Sequence, residues 1–364
     1  MFTIPLRGCL LDTRFRNGQL RFREQNSKRA VSLVLNQKGS RAIPLETAER
    51  VLAAARELHY AKPQRSQSRR KGAEHPVLVL VSDLTNPYYS FILHELELAA
   101  APYGLHLVCC NTYHRVEQED AYLDMALGCG FFASIFLYPP DDPEHVRRVS
   151  HQMPVIAICD KNAAPEIDLI ELNNFQAGCI AAEHLLSLGH RNIAVLSSDP
   201  SRSLARSNRI RGVTDQMERS GLEDCLSVGV PNAREIETIP GNNANYRIGR
   251  AIGQRQELLS GKYSAFIAIN DMVAIGVIDA LSAHGIQFPR DYSIVGFDNL
   301  LYTGLSRISL TTVDHHTDIL AQAAISLLLR RVDPSMEPAL LSSTRFKVEC
   351  TPQLVVRNST APLA

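Results

Sequence analysis

From Pro76 onward the chain alternates short, continuous apolar runs with stretches of helical spacing, and that alternation leaves few architectures open. VLVLV (77–81), LHLVCC (105–110), SIFLY (134–138) and VIAI (155–158) read as strands. After Tyr88 the apolar positions Ile92, Leu96, Ala99, Ala100 and Tyr103 fall at helical spacing. Past Asn173 the pattern restarts, with helices over 175–188, 204–219, 245–259 and 271–283 and strands in NIAVL, AFIAI and SIVGF. Strands without a polar face indicate parallel sheets covered by helices on both sides. Two successive sets predict an α/β body of two doubly wound parallel-sheet lobes, with a ligand between them at the carboxyl ends of strands.

The first 75 residues differ in charge. They hold sixteen Lys/Arg against six Asp/Glu, a formal +10, and the rest of the neutral 364-residue chain carries the compensating −10. A basic module on an acidic body suits contact with a polyanion. Within it, Ser27 is placed to cap a short helix over 28–35 with Val31, Val34 and Leu35 on its apolar side, and Asn36, Lys38 and Gly39 read as a stop. A second helix over 47–58 follows Pro44, with Val51, Leu52, Ala55 and Leu58 on one face. Two short helices with basic residues on the first suit a helix-turn-helix reader of the DNA major groove, and equally an ordinary helical hairpin.

SKRAVSLVLN followed by TAERVLAAARELHY resembles the DNA-binding headpiece of the lactose/galactose repressor (LacI/GalR) family of bacterial transcription regulators. The resemblance continues from about Asn26 to Thr360. It implies a small all-α helix-turn-helix headpiece at 1–60, a basic hinge linker at 61–75 and a periplasmic-binding-protein-like effector domain at 76–360. Its first lobe is expected at about 76–172 and 314–341, its second at about 173–313 and 342–360. The resemblance puts Ser27, Lys28, Arg29, Ser32 and Asn36 at the DNA, with Arg69 and Arg70 in the linker as phosphate or groove contacts. Two departures stand out. Leu20, Arg21, Arg23, Glu24 and Gln25 occupy places where the family's first helix has small and apolar residues, so either that helix has diverged or 1–25 is not headpiece sequence. Arg70 stands where the family carries a leucine that wedges into the minor groove; arginine can enter that groove but does not unstack bases as an apolar wedge does.

Effector contacts are expected just beyond strand ends. Asn86 and Tyr88 lie in DLTNPYYSF, which resembles the family's S-N-P-[FY]-[FY], and Asp160 closes PVIAICD. In SLARSNRIRGV the family pattern of an arginine three residues before a glycine selects Arg209, ahead of Gly212. Asn270 and Asp298 follow the strands AFIAI and SIVGF; Asp271 is expected to cap the helix it starts. Arg209 and Asp298 would together clamp a polar ligand such as a sugar, and the absence of tryptophan from the chain argues against stacking of a flat ring.

No Gly-rich phosphate loop, nucleophile elbow or zincin helix is present, so no catalytic residue, metal or cofactor is expected. His315 and His316 read as the start of a helix. The eight scattered cysteines form no CxxC pair and are expected to be reduced and buried. No apolar run reaches the roughly 20 residues of a membrane helix and the first residues lack a signal-peptide layout, so a cytoplasmic location is expected. The partners expected are a double-stranded DNA operator, a carbohydrate-like effector and a second copy of the chain in a homodimer. The competing expectation is a small-molecule binding protein without effective DNA binding.

Overall fold

The computed structural model describes residues 2–6, 9–16, 19–21, 75–159, 167–197, 203–229, 244–332 and 344–363. The proposed DNA contacts Ser27, Lys28, Arg29, Ser32, Asn36, Arg69 and Arg70 lie outside them, as does Asp160. At the N-terminus β1 (Phe2–Leu6), β2 (Cys9–Arg16) and β3 (Gln19–Arg21) form an antiparallel sheet in that order, with Phe2 opposite Thr13 and Arg14 opposite Arg21. These strands fall in the stretch 1–25 that departs from the family's first-helix pattern; the helices expected over 28–35 and 47–58 lie outside the described residues.

The region from His75 forms two lobes. Lobe 1 is a six-stranded sheet of β4 (His75–Val81), β5 (Leu105–Asn111), β6 (Ala133–Phe136), β7 (Val155–Cys159), β8 (Asp168–Leu172) and β14 (Lys347–Cys350), in the order β14-β8-β7-β6-β4-β5 and parallel throughout. Alternate residues of β4 face opposite sides. Val77, Val79 and Val81 pack under α1 (Pro87–Ala100) and α8 (Thr317–Val332), whereas Leu78 and Leu80 pack under α2 (Val116–Cys129) and α3 (Pro143–Ser150). This doubly covered sheet is why the strand reads as uninterrupted apolar sequence.

Lobe 2 repeats the plan with β9 (Ile193–Leu196), β10 (Leu226–Gly229), β11 (Ala265–Ala268), β12 (Ser293–Phe297), β13 (Thr311–Asp314) and β15 (Gln353–Val355) in the order β10-β9-β11-β12-β13-β15; only β15 is antiparallel to its neighbour. One face is covered by α4 (Asn174–Ser187) and α5 (Leu204–Arg219), the other by α6 (Ala244–Gly253) and α7 (Asp271–Ser282).

The chain crosses between lobes three times, between β8 and α4, between β13 and α8, and between β14 and β15. The third crossing corrects the expected boundary: the segment Lys347–Cys350, expected in lobe 2, pairs parallel with β8 of lobe 1. The cysteines also differ from expectation. Cys109 and Cys129 are exposed, and Cys110, Cys179, Cys225 and Cys350 half-buried, leaving Cys159 as the fully buried one among those described. β5 is an edge strand, so its residues lack a neighbour on one side. No described helix is long and apolar enough to cross a membrane.

Candidate functional site: the cleft between the lobes

Two strands that end at the cleft hand over to helices whose first amides need acceptors, and an asparagine supplies one in each case. Asn86 caps α1, its side chain accepting from the Tyr88 amide at 3.2 Å. Asn270 caps α7, accepting from the Val273 amide at 2.9 Å. The expected cap, Asp271, has another task. It is fully buried and accepts from the Leu300 amide at 2.9 Å and from the Thr312 hydroxyl at 2.6 Å, tying α7 to β13 and to the turn after β12. Gly296 makes room for it, since a Cβ there would stand 2.3 Å from the Asp271 carboxylate. Burial, and then the neighbouring Asp298, raise the Asp271 pKa well above its usual value.

Arg209 is the centre of the lobe 2 wall. Its Nε donates to Asn174 Oδ1 at 2.7 Å, Nη1 to the Ile269 carbonyl at 2.6 Å, and Nη2 to Asp298 Oδ1 at 3.2 Å and to His315 Nε2 at 3.0 Å. The guanidinium also stacks on the Phe297 ring at 4.7 Å. Of its five N–H hydrogens these bonds use four and leave one, on Nη1, without a partner among the described residues. Arginine reaches this point because α4 and α5 touch backbone to backbone: a Cβ on Gly178 would lie 2.1 Å from the Arg209 carbonyl, and one on Gly212 1.9 Å from that of Phe175. The spacing of an arginine three residues before a glycine thus has a steric basis. Gly212 lets the helices close, and one turn earlier Arg209 points back to Asn174.

Asp298 follows β12 with φ +107, a left-handed conformation that costs a non-glycine residue energy and aims its side chain at the guanidinium. Burial outweighs the arginine's favourable charge and raises its carboxyl pKa to about 6. His315, only 2 % exposed, is neutral: arginine keeps its protons, so Nε2 must accept and the ring proton sits on Nδ1. Burial first, and the charge of Arg209 second, hold its pKa well below the usual range. α8 begins two residues later, with the His316 carbonyl receiving the Leu320 amide, so the pair does precede a helix while His315 itself turns into the site.

The lobe 1 wall centres on hydroxyl groups, with the Asp83 carboxylate at its rim. Tyr89 shares a hydrogen bond of 2.7 Å with Ser82, and Tyr88 meets it edge-on at 5.7 Å. Burial raises the Tyr89 pKa, the Ser82 hydrogen bond opposes that rise, and the charges of Asp83, Arg206 and Asp298 act on it as well. Behind the wall, buried Glu119 accepts from the Tyr138 hydroxyl at 2.7 Å and from the Asp141 and Asp142 amides at 3.1 Å, holding the loop after β6. At the rim, Asp83, Asn86 and Pro87 of lobe 1 and Asn245, Tyr246 and Met272 of lobe 2 border a shallow crevice. It lies beside the Arg209 network rather than over it. Elsewhere on lobe 1, Asp120, Asp142 and His145 come within 4.8 Å of one another, a spacing that could hold a metal ion; His145 is already engaged by Asp120 at 2.8 Å and by Asp124 at 3.1 Å.

The structure therefore joins Arg209 and Asp298 directly, puts Asn270 next to them through the adjoining Ile269 carbonyl, and leaves Asn86 and Tyr88 on the facing lobe. Asn174, His315 and Tyr89 were missed from sequence. The double asparagine after Leu172, the HH of LTTVDHH and the second aromatic of NPYY were the available signals.

A family model described as a periplasmic binding protein-like domain matches residues 182–360. Among curated relatives, the HTH-type transcriptional repressor PurR of Haemophilus influenzae (strain PittEE) is 26% identical over 336 residues, covering 92% of this chain and 95% of the relative. The ribose operon repressor of Escherichia coli (strain K12) is 26% identical over 329 residues, covering 89% and 95%. Among solved structures, a LacI family transcriptional regulator from Enterococcus faecium with bound ribose superposes with a TM-score of 0.65 at 25% identity, covering 79% of this chain and all of that one. Over about nine-tenths of its length the chain is similar to transcription regulators of the LacI/GalR type. Its relatives are transcription regulators rather than enzymes, and solved LacI-type regulators hold sugars.

The arrangement at Arg209 defines what this wall of the cleft can do chemically. A rigid guanidinium offers one remaining donor, and Asp298 Oδ2 has no bond among the described residues. A ligand with adjacent hydroxyls can satisfy both at once.

Proposed function

We propose that this chain is a sequence-specific DNA-binding repressor of the LacI/GalR type whose operator affinity is set by a small polar effector, a sugar or sugar derivative, bound between the lobes. The observation that carries this reading is the buried Arg209–Asp298 pair at the cleft, with one donor and one carboxylate oxygen left over among the described residues. Ligand closure of two lobes joined by three crossings changes their relative orientation, and in a homodimer it would change the spacing of two DNA-binding segments. Lys28 and Arg29 are the proposed base readers, Ser27, Ser32 and Asn36 support them, and Arg69 and Arg70 contact phosphate or groove. Asp160, Asn86, Tyr88 and Asn270 complete the proposed effector set.

Two experiments test this. Calorimetry against a panel of pentoses and hexoses should find a ligand, and Asp298→Asn should weaken it about ten- to a hundredfold, the loss of a charge-assisted hydrogen bond. Selection from random duplex DNA should enrich a palindrome. Arg29→Ala should then relax preference at one base position, while neutralising Arg69 and Arg70 should weaken all DNA alike and flatten the salt dependence.

A second reading has an observation of its own. Phe2–Leu6, Cys9–Arg16 and Gln19–Arg21 pair as an antiparallel sheet in the stretch that departs from the family's first-helix pattern, which favours a small-molecule binding protein that has lost operator binding. Failure to enrich any palindrome, with and without ligand, selects this reading and leaves the effector domain as described.

A further inference from the structure

We infer that His315 is a positioning residue that transmits the state of the Arg209–Asp298 pair to the crossing between β13 and α8; its relevance to effector control rests on the function proposed above. His315 belongs to the four-residue path that leaves lobe 2 at Asp314 and enters lobe 1 at Thr317. Its Nε2 and Asp298 Oδ1 accept from the same Arg209 nitrogen, Nη2, at 3.0 and 3.2 Å. The imidazole cannot move away without leaving a buried Nη2 hydrogen without an acceptor, and the guanidinium cannot swing toward a ligand on Asp298 without dragging or releasing the imidazole. Arg209 is otherwise clamped, by Asn174 through Nε and by the Ile269 carbonyl through Nη1, so the planar group responds as a unit and any tilt that alters its bond to Asp298 also alters the one to His315.

The crossing is built to respond. His316 holds a left-handed φ of +54, and Asp298 and Asn299 opposite it hold +107 and +49. Three non-glycine residues in that region at one place store backbone strain that a small rearrangement can release. The crossing's own turn is fastened by the Asp314 carboxylate, which accepts from the His316 amide at 2.8 Å and from Asn299 Nδ2 at 3.0 Å; Asn299 is held in turn by Arg357 at 2.7 Å. That gives two physical routes from Asp298 to the crossing. One runs through Arg209 and the His315 ring. The other follows the backbone, from Asp298 to Asn299 and Asp314. The first uses a group that directly shares a donor with the ligand-facing carboxylate, and it is the one assigned here.

The test separates the routes without needing a ligand. Amide hydrogen exchange at His316 and Leu320, whose N–H groups bond Asp314 Oδ1 and the His316 carbonyl, reads opening of the crossing. In the full chain, Asp298→Asn should change that exchange about fivefold or more. In a His315→Leu background the same substitution should leave it unchanged, and in His315→Gln, which restores an acceptor, the response should return. His315→Met replaces His315→Leu if the latter does not fold. A response to Asp298→Asn that persists without the imidazole assigns the coupling to Asn299 and Asp314 and overturns the proposal; so does the absence of any response in the native background. Titration of the same proteins with D-ribose and a pentose–hexose panel forms a separate arm. Lack of binding by the native chain defeats the sugar-effector reading, whereas the exchange data decide the role of His315 either way.

Discussion

In lobe 1 the neighbouring helices α1 and α8 meet through side chains, Ile92, Leu96 and Ala100 against Leu320, Ala321, Ala324 and Leu328. In lobe 2 both helix pairs meet through backbone. α4 and α5 close over Gly178 and Gly212, and α6 and α7 close over Gly249 and Gly276, where added Cβ atoms would stand 2.2 and 2.1 Å from the Val273 and Tyr246 carbonyls. Close backbone approach leaves little side-chain volume between helices, so a group projected from them arrives at a narrowly defined place. That suits a wall that must hold one guanidinium against four acceptors. The lobe 1 wall, made of Ser82, Tyr88 and Tyr89, needs no such placement because hydroxyls rotate to suit their partners.

The contrast is most open to test at Arg209. Arg209→Ala strips partners from Asp298, Asn174 and His315 at once, and breaking one side of a buried ion pair costs about 3–5 kcal/mol. Its lobe 1 counterpart, Tyr89→Phe, removes one hydrogen bond and should cost about 1 kcal/mol. Urea denaturation of both variants reads the difference; equal costs would show that the lobe 2 wall is no more tightly built than the other. It also follows that Arg209→Ala is a poor probe of ligand binding alone, which is why Asp298→Asn is the better variant.

A smaller effect should distinguish the glycines. Gly212→Ala forces apart helices in backbone contact, an overpacking cost of about 1–3 kcal/mol, and should reduce effector affinity by displacing Arg209. Gly128→Ala in α2 of lobe 1 meets nothing within 4 Å and should stabilise by about 0.5–1 kcal/mol. Thermal melts with matched ligand titrations check both.

pH offers a further handle on the lobe 2 wall. Asp298, raised from 3.8 to about 6, binds protons more readily folded than unfolded, so its contribution to stability is present at low pH and lost as pH rises through about 6. His315 and His190 shift downward from 6.5, so theirs is present above that value and lost on acidification. The two effects oppose each other between pH 5 and 7. Asp298→Asn removes the first, and its melting temperature should therefore fall more steeply than the native one on acidification from pH 7 to 5. Effector affinity of the native chain should weaken over the same range as the carboxylate is neutralised, and that dependence should flatten in Asp298→Asn. The smallest effect is expected far from both walls: Cys109→Ser on the exposed edge strand β5 should change stability by no more than about 0.5 kcal/mol, as urea denaturation can verify.

Much of this architecture follows from the amino-acid order alone. Period-two and period-3.6 apolar spacing states which face of each element is buried, and Asn-Pro, Asn-Asp and Phe-Asp-Asn after apolar runs mark strand ends, so the two lobes and the strand-end positions of Asn86, Asn270 and Asp298 were legible, whereas Arg209 was singled out by the family resemblance alone. Periodicity carries no information about which polar atom meets which. Asn270 and Asp271 are adjacent, and only the extended backbone at Asn270 decides that it caps α7 while the aspartate turns inward to Thr312. β14 is a short, half-polar strand whose lobe is set by its partner β8, not by its own sequence. His315 and Arg209 are 106 residues apart, and their 3.0 Å contact exists because α4 and α5 close over glycine while β13 ends beside β12. Apolar patterning is a property of one segment, whereas a buried hydrogen-bond network depends on sub-ångström positions of several segments at once, and those exist only after the lobes have packed.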